Sequence, residues 1–427
     1  YSWGMYPQIE GKQFELSTIA KLREYILNTK ETIPFGNGRS YGDSALNTNM
    51  INCKNHNSFL SFDEDNGILH VESGILLSEI LKTIVPKGWF LKITPGTKFI
   101  TVGGAIASDV HGKNHHKEGC FSECVEEFDL MLPDGNIVSC NKKDELFKAT
   151  CGGMGLTGVI ISAKISLIKI NSKNIDQITI KTKNLKETFQ AFEDYSSYPY
   201  SVAWIDCLAK GKDTGRCLLK VGSFSNDGDL NYKQKKKVNI PFIFPLFLLN
   251  TLSVKIFNWI YYHKSYKNKS NQKVDIDEFF YPLDNLNNWN RIYGKKGFTQ
   301  YQFILPKKDS YDGLFEILSA ISNSGKSSFL SVLKLYGKEN KNYLSFPMEG
   351  YSLALDFKIN EEVFRLLDNL DKLVLKYNGR VYLTKDVRIS KNSFEKNYLN
   401  IEKFRRLRKE YNMNKKFQSL QSKRIGI

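Results

Sequence analysis

Three glycine-rich stretches lie within about 125 residues of one another near the start of the chain, and they constrain the fold more than any other feature. They are Gly36-Asn-Gly-Arg-Ser-Tyr-Gly-Asp43, Thr101-Val-Gly-Gly-Ala-Ile-Ala-Ser-Asp-Val-His-Gly112 and Cys151-Gly-Gly-Met-Gly-Leu-Thr-Gly158. Because glycine has no Cβ atom, such backbone approaches a ligand closely, and its amides can converge on a diphosphate. Separate tight turns would be a poor explanation for so many glycines in one region of the chain. We therefore expect one large ligand wrapped by backbone, and FAD is the candidate.

The first glycine-rich stretch differs from two common nucleotide-binding loops. It follows the strand-like run Thr32-Ile-Pro-Phe35, and its glycines have the spacing GxGxxxG. The Rossmann dinucleotide loop has the spacing GxGxxG, and the Walker loop of P-loop NTPases ends in GK[ST]. The sequence therefore argues against a Rossmann-type NAD site and against a P-loop NTPase.

The composition is that of a globular protein with excess positive charge. The 427 residues, 41% apolar and 25% charged, suffice for two or three domains and argue against wholesale disorder. The formal net charge of +16 predicts an anionic partner. Seven cysteines without a CxxC pair favour reduced thiols. No long uncharged apolar run and no signal-peptide pattern occurs, so we expect a cytoplasmic or peripheral-membrane location, with the periplasmic side left open.

Strand-like and helix-like patterns indicate a mixed α+β chain. In the first 165 or so residues, β-branched runs at 67–73, 128–132 and 159–165 alternate with turns, and 76–85 has helical spacing. From Lys169 onward glycine becomes rarer, which we interpret as a domain change. Beyond it, strand-like runs at 177–180, 201–205, 299–305, 329–335, 351–357 and 379–383 alternate with helices near 310–323 and 361–376. This order predicts a sheet backed by helices on one face.

The segment Leu230–Val274 contains no Asp or Glu and nine lysines, at positions 233, 235, 236, 237, 255, 264, 267, 269 and 273. Within it, the apolar run Ile240–Leu249 is broken by two prolines and is too short to span a bilayer. An aromatic, helix-like stretch follows as far as Tyr262. Lysines beside aromatic residues are typical of a segment lying in the interface of an anionic membrane. A buried hairpin with a solvated lysine loop is the alternative.

Several strings together resemble one family of flavoproteins. The strings Gly-Arg-Ser-Tyr-Gly-Asp (38–43), Gly-Gly-Ala-Ile-Ala-Ser-Asp-Val-His-Gly-Lys-Asn-His-His (103–116) and Gly-Leu-Thr-Gly (155–158) are similar to those of the vanillyl-alcohol-oxidase, or PCMH-type, family of FAD proteins. Within it they most resemble oxidases of polyprenylphosphoryl-β-D-ribose. The resemblance continues through 328–337, 344–347, 382–386 and the basic C-terminal region, and so covers nearly the whole chain.

The resemblance implies a fold and a domain division. We expect an α+β chain with a PCMH-type FAD-binding domain of two subdomains at 1–167. A substrate domain at 168–379 would have an antiparallel sheet covered by helices and would contain the lipid-interface segment 230–274. Residues 380–427 would return to the FAD domain.

The resemblance also implies which residues contact FAD. They are Gly36, Asn37, Gly38, Arg39, Ser40, Tyr41, Gly42, Asp43, Ser44, Gly96, Thr101, Val102, Gly103, Gly104, Ser108, Asp109, Val110, His111, Val159 and Tyr382. Many relatives attach the flavin covalently through a histidine in these loops. Tyr41 stands where such a histidine would be, so non-covalent FAD is expected.

For catalysis the resemblance implies Lys385, placed to bind or deprotonate the reacting hydroxyl, and His111 beside the flavin and substrate. Substrate contacts are expected from Lys113, Gln300, Gln302, Lys334 and Ser352. The implied reaction is FAD-dependent oxidation of the ribose 2′-hydroxyl of a polyprenyl-phosphate-linked sugar to the 2′-keto sugar. A separate NAD(P)H-dependent short-chain reductase would complete epimerisation to an arabinose donor for cell-envelope glycan. The alternatives are a soluble aldonolactone or alditol oxidase and a non-catalytic membrane-associated flavoprotein.

One string departs from the relatives. Actinobacterial relatives read Trp-Asn-Ile-Cys-Val-Asp-Phe where this chain has Tyr-Ser-Leu-Ala-Leu-Asp-Phe at 351–357, so Ser352 replaces an asparagine and Ala354 a cysteine. The departure leaves the sugar head group and lipid length open.

Metal and nucleic-acid sites are not expected. His115 and His116 are adjacent rather than spaced as zinc ligands usually are, although Cys120 and Cys124 lie nearby. The positive charge is mostly lysine beside apolar residues, which is not a nucleic-acid pattern.

Overall fold

The first part of the chain forms two sheets in the computed structural model, which describes residues 1–233, 237–245 and 250–427. A six-stranded antiparallel sheet has the path Phe59–Asp63, Ile68–Glu72, Val159–Lys169, Val125–Met131 and Ile137–Asn141, with Trp89–Leu91 paired to the far end of Val159–Lys169. A parallel three-stranded sheet has the order Lys12–Glu15, Asn49–Asn52, Ile33–Phe35. This arrangement places the first glycine-rich stretch directly after the strand Ile33–Phe35.

The middle of the chain forms an eight-stranded antiparallel sheet. Its order is Lys269–Asp275, Asn174–Thr182, Cys217–Phe224, Tyr200–Ile205, Ser331–Tyr336, Gly350–Lys358, Phe298–Pro306 and Arg380–Val381. A short parallel pair, Val238–Asn239 with Leu286–Asn287, lies apart from it. The long strands bury apolar residues on one face, and that face receives the helices.

Fourteen α-helices and seven 3₁₀ turns complete the described part of the chain. The α-helices are Ile19–Asn28, Leu77–Ile84, Val102–Ala107, His115–Glu118, Glu145–Thr150, Leu185–Asp194, Thr251–Lys264, Ile276–Phe280, Ser310–Ser324, Glu361–Lys376, Lys391–Asn397, Ile401–Glu410, Met413–Lys416 and Leu420–Ile425. The 3₁₀ turns are Val85–Lys87, Phe121–Cys124, Gly211–Asp213, Pro282–Asn285, Trp289–Tyr293, Lys307–Asp309 and Leu383–Lys385.

Three helices cover one face of the eight-stranded sheet: Leu185–Asp194, Ser310–Ser324 and Glu361–Lys376. In the last of these, Val363, Leu367, Leu370 and Val374 recur at helical spacing and are buried against the sheet. The opposite face is left for a ligand.

The C-terminal helices pack against the first glycine-rich stretch. Phe417 forms a parallel bridge with Thr32, and Arg424 donates hydrogen bonds to Asp43 at 2.8 Å and to Asp386 at 2.9 Å. More than 380 residues separate Arg424 from Asp43 in the sequence. The end of the described chain therefore holds the first glycine loop in place.

The predicted fold class is confirmed, with one local correction. The predicted strands and helices are present within a few residues of their expected bounds. The run at 379–383 is wrong as a full strand. Arg380 and Val381 pair with Ile304 and Phe303, the Tyr382 amide donates to the Gln302 carbonyl at 2.9 Å, and the chain then turns at Leu383–Lys385. No helix in the described ranges has the length and apolar character needed to cross a bilayer. The expected domain boundaries remain a prediction.

All seven cysteines are free and buried. Burial raises the pKa of each thiol, to about 12 for Cys53 and Cys124 and to about 11 for Cys207 and Cys217. The thiols are therefore protonated and weakly reactive at neutral pH.

Candidate active site

A cavity of about 650 Å³ lies between the glycine-rich loops and the face of the eight-stranded sheet opposite those three helices. Glycine loops line one end of it, and the strands Tyr200–Ile205, Ser331–Tyr336, Gly350–Lys358 and Phe298–Pro306 contribute side chains at the other. Sheet register explains this, because alternate residues of each strand point to the same face.

The first loop is shaped by close contacts that exclude larger side chains. The Nδ2 of Asn37 donates to the Phe99 carbonyl at 2.7 Å and ties the loop to the second glycine-rich region. A Cβ on Gly36 would lie 2.5 Å from Oγ1 of Thr101, and Gly38 has a φ of +60°. Bare backbone therefore faces the cavity here.

Two buried polar atoms on the cavity wall have no partner among the described residues. They are Oγ of Ser73 and Nδ1 of His111. A buried polar atom normally has a hydrogen-bond partner, and leaving it unpaired costs free energy. Together with the bare backbone, these atoms fit a large polar ligand such as FAD.

His111 is held by the sheet. Nε2 of His111 lies 3.0 Å from Nε2 of Gln302, which also lies 3.3 Å from Oγ of Ser352. Burial lowers the pKa of His111 well below its usual value, and the charges of Lys334 and other neighbours lower it further. The ring is therefore neutral. With the Gln302 amide as donor, Nε2 accepts, and Nδ1, which has no partner among the described residues, carries the proton.

Lys385 ends the turn Leu383–Lys385 and points its amine into the cavity. Its Nζ lies 3.7 Å from the centre of the Tyr41 ring. Burial lowers the pKa of Lys385 to about 7, with Lys334 lowering it and Asp356 raising it. An amine with such a pKa is substantially neutral at physiological pH and is able to accept a proton.

Asp356 is a buried carboxyl that the sequence analysis did not single out. It accepts from Nε2 of Gln300 at 2.6 Å and from the Tyr293 hydroxyl at 3.1 Å. Burial raises the pKa of Asp356 to about 7, while those hydrogen bonds and the charge of Lys385 oppose the increase. The available signal was the single acid in the mostly apolar strand Gly350–Lys358.

Three further lysines line the cavity. Lys113 and Lys334 were predicted, and Lys220 was missed although it is also a single charge in an apolar strand, Cys217–Phe224. Burial lowers the pKa of all three, to about 8 for Lys334. A bound anion at this end of the cavity would favour the protonated form of these amines.

Comparison with known proteins decides the family. Residues 18–141 match the family model described as an FAD binding domain. The chain is 34% identical over 410 residues to decaprenylphosphoryl-β-D-ribose oxidase of Mycolicibacterium smegmatis, across 92% of this chain and 88% of that protein. The chain belongs to the decaprenylphosphoryl-β-D-ribose oxidase family. It is thus an FAD-dependent oxidoreductase that acts on a CH–OH group.

Two other relatives are less similar to the present chain. A Streptomyces coelicolor protein described as uncharacterized, in the mprA 5′ region, is 25% identical over 83% of the chain and its own full length. The Delta(24)-sterol reductase of Pisum sativum is 32% identical over 142 residues, 32% of the chain and 25% of that protein. The similarity to the sterol reductase covers only about a third of the present chain.

Most predicted site residues line the cavity, and five do not. Those that line it are Gly36, Asn37, Gly38, Arg39, Ser40, Tyr41, Ser44, Gly96, Thr101, Gly103, Gly104, Ser108, Val110, His111, Lys113, Gln300, Gln302, Lys334, Ser352, Tyr382 and Lys385. Those outside the lining are Gly42, Asp43, Val102, Asp109 and Val159.

The residues outside the lining shape the loops instead. A Cβ on Gly42 would lie 1.8 Å from the carbonyl oxygen of Asp386, so only glycine fits there. Asp43 pairs with Arg424. Val102 and Val159 are fully buried in the core.

Asp109 connects the second glycine-rich stretch to the segment around Asn342 and Ser345 through hydrogen bonds. Its Oδ2 accepts from Oγ of Ser345 at 2.6 Å and from Nδ2 of Asn342 at 2.9 Å, and its Oδ1 accepts from the Ser122 amide at 3.0 Å. Asp109 also has a φ of +40°, which these hydrogen bonds stabilise. The residue orients the loop that carries His111.

Proposed function

We propose that this chain oxidises the 2′-hydroxyl of a polyprenylphosphoryl-β-D-ribose to the 2′-keto sugar, with FAD bound non-covalently. The observation that carries the proposal is the meeting of Lys385, whose amine has a lowered pKa, with neutral His111 in one cavity. The printed name of the Mycolicibacterium relative supports the choice of sugar lipid. A separate NAD(P)H-dependent reductase would return the keto sugar as the arabinose epimer for cell-envelope glycan.

Oxidation of a secondary alcohol removes a hydride from carbon and a proton from oxygen. FAD, when bound, supplies the hydride acceptor. The neutral amine of Lys385 accepts the hydroxyl proton, and the Tyr41 ring at 3.7 Å stabilises the ammonium that forms. Asp356 stabilises the same ammonium by its nearby carboxylate.

His111 and Gln302 position the sugar. The neutral imidazole donates from Nδ1 toward the cavity while Gln302 fixes the ring plane through Nε2. Burial excludes water from both groups. The two side chains therefore hold a hydroxyl in one orientation without adding charge.

The apolar end of the cavity suits a polyprenyl chain. Trp204, Phe257, Tyr261 and Phe329 line it, and the rings of Trp204 and Tyr261 are 4.9 Å apart. Phe257 and Tyr261 belong to the helix Thr251–Lys264, which we call the aromatic helix. A small polar sugar needs no such surface.

The outer face of the aromatic helix supports contact with an anionic membrane. Leu252, Ile256, Trp259 and Ile260 are 67%, 52%, 58% and 53% exposed. Exposed lysines 255, 264 and 267 lie on or just after the helix. Of the other lysines, Lys273 pairs with Asp227, and Lys235 and Lys236 lie outside the described residues. Exposed apolar side chains next to cations suit a lipid interface.

The test is anaerobic mixing of the holoenzyme with farnesylphosphoryl-β-D-ribose, followed by flavin absorbance. We expect bleaching by this compound and none by free aldonolactones or alditols. Bleaching by the free sugars alone would assign the soluble oxidase, and bleaching by neither would assign the non-catalytic flavoprotein.

A variant isolates the role of Lys385. Lys385→Met should keep the flavin spectrum and lose bleaching, while the exposed Lys186→Met serves as the control. A Lys385→Met rate above about a tenth of wild type, a barrier change of only ~1.4 kcal/mol, would contradict the assignment.

A further inference from the structure

Two lysines, a valine and a serine lie in one row across the cavity-facing side of the eight-stranded sheet. Lys220 is opposite Val202, and Lys334 is opposite Ser352. Since Ala203 is opposite Leu333 in an antiparallel pair, Val202 falls beside Lys334. Residues directly opposite one another share a face. The order along the row is therefore Lys220, Val202, Lys334, Ser352.

The row leaves a gap between two amines. Two strand spacings separate the Cα atoms of Lys220 and Lys334 by roughly 10 Å, with only the short side chain of Val202 between them. All four residues of the row line the cavity. The gap is wide enough for an anion with an ammonium group on each side.

Lys113 reaches the same gap from the FAD-binding part of the chain. Its carbonyl oxygen accepts from the Ser201 amide at 2.8 Å, which fixes its backbone beside Val202. Its Nζ donates to the Phe280 carbonyl at 3.1 Å, and the side chain is buried. Lys113, Lys220 and Lys334 therefore line one part of the cavity, close enough for the charges of Lys220 and Lys334 to act on Lys113.

The charges of this cluster are not balanced within the described residues. Among the described residues none of the three amines forms an ion pair with a carboxylate, and Glu278 is the acid whose charge acts on Lys220. Burial lowers the pKa of Lys113, and the charges of Lys334 and Lys220 lower it further. Buried cations are normally paired, since unpaired ones are costly. An anion would remove this cost.

We propose that Lys113, Lys220 and Lys334 bind the phosphodiester of the lipid-linked sugar in the gap above Val202. The assignment rests on the proposed function and extends it to a residue, Lys220, that the resemblance did not suggest. The position fits the order of groups in the substrate. Ser352 of the row contacts Gln302 and so adjoins the sugar end, while Trp204, two residues beyond Val202, begins the apolar end.

The experiment compares charged and neutral lipids on the holoenzyme. The probes are farnesyl phosphate, farnesol and inorganic phosphate, whose binding is followed by perturbation of flavin absorbance without turnover. The variants are Lys220→Gln and Lys220→Arg, with Lys186→Gln as a control that removes an exposed charge from the same region. The melting temperature of each variant reports whether it folds, and KM for farnesylphosphoryl-β-D-ribose is measured in parallel.

Lys220→Gln should raise both the Kd of farnesyl phosphate and the substrate KM about tenfold, and leave farnesol binding unchanged, because only the charged ligand loses a charge-assisted contact. Lys220→Arg should stay near wild type, since it keeps the charge. Equal losses for farnesol and farnesyl phosphate, or no loss for either, would overturn the pocket. Binding of inorganic phosphate as tight as that of farnesyl phosphate would overturn the lipid-linked assignment.

The two proposals fail in different ways. Wild-type flavin that is bleached by the substrate, with binding indifferent to Lys220→Gln, would overturn the phosphodiester pocket and leave the proposed function standing. Wild-type flavin that no polyprenylphosphoryl ribose bleaches, with farnesyl phosphate binding still dependent on Lys220, would overturn the proposed function and leave an anion pocket for another phospholipid-like ligand.

Discussion

An amine works as a base only when it releases its own proton near the working pH. Three influences set that balance at Lys385: burial and the charge of Lys334 lower its pKa, and the carboxylate of Asp356 raises it. The Tyr41 ring stabilises the ammonium form at 3.7 Å. Lys385 is thus poised between its two protonation states at neutral pH.

This balance predicts the pH dependence of the reaction. The base must be neutral, and the neutral fraction of Lys385 rises with pH, so the rate of flavin reduction should increase through an apparent pKa near 7. Stopped-flow rates between pH 5 and 9, about two units either side, would measure it. A rate that falls as pH rises through this range would exclude Lys385 as the base.

Asp356→Asn should move the same profile to lower pH. The substitution removes the carboxylate that favours the ammonium form of Lys385, so the apparent pKa should decrease. Asp194→Asn, an exposed carboxyl on another helix, is the matched control and should leave the midpoint in place. An unchanged or raised midpoint in Asp356→Asn would show that the two groups are not coupled.

The residue at position 41 predicts how the cofactor is held. A tyrosine there offers no imidazole for covalent attachment, so acid or heat denaturation should release all FAD into the supernatant. Absorbance of the supernatant and of the precipitate measures the two fractions. Flavin that stays with the precipitated chain would contradict non-covalent binding.

The sequence predicted some of these site residues and not others, for a physical reason. Lys385 and His111 lie in strings that resemble a known family. Asp356 and Lys220 lie in strands, where period-two alternation predicts the face but not which strands are neighbours. Their roles depend on contacts between strands that are distant in sequence, such as Asp356 with Gln300.

At the scale of elements, the aromatic helix has two unlike faces. Val254, Asn258 and Tyr262 are buried, and Nδ2 of Asn258 donates to Asp206 at 2.7 Å. The opposite side exposes apolar residues that no described residue covers. Burial on one side fixes the helix to the sheet and leaves the other free for a partner.

Charge substitution on the exposed face should therefore weaken membrane binding. Ile256→Glu with Trp259→Glu removes apolar contact and adds repulsion, and it should reduce sedimentation with vesicles containing phosphatidylglycerol by about tenfold or more. Leu399→Glu, at a residue 87% exposed elsewhere, is the control. Unchanged binding of the double variant would mean that this face does not meet the membrane.

The elements themselves were largely predictable, and their arrangement was not. The strand-like pattern at 351–357 predicted the strand Gly350–Lys358, and the helix-like pattern at 361–376 predicted the helix Glu361–Lys376. Nothing in the sequence shows that Phe298–Pro306 lies between Gly350–Lys358 and Arg380–Val381. Strand order is decided by long-range packing, which local patterns do not contain.

At the scale of the whole molecule, Arg424 connects two carboxylates that are distant from each other in the sequence. It pairs with Asp43 of the first glycine loop and with Asp386, the residue next to Lys385. Both carboxylates are buried. We also propose that 1–167 with 380–427 forms the FAD domain and 168–379 the substrate domain, a division these contacts support.

Arg424→Met should destabilise the protein and its hold on FAD. Two buried carboxylates would lose their cation, which should cost roughly 2–3 kcal/mol, because the arginine is partly solvent-accessible. Thermal melting with and without added FAD measures both effects. Arg406→Met, at an exposed arginine of the same region, should melt like wild type, and equal losses in both variants would refute a specific role for Arg424.

Because all seven native thiols are buried, they should react little with a thiol reagent, and a cysteine introduced at a chosen position can be labelled selectively. Ala354 lines the cavity. In Ala354→Cys, the new thiol should be the first to react with a maleimide, giving one adduct by intact mass where the native chain gives none. Protection of that thiol by a bound lipid would then report occupancy of the cavity directly, in the absence of any turnover.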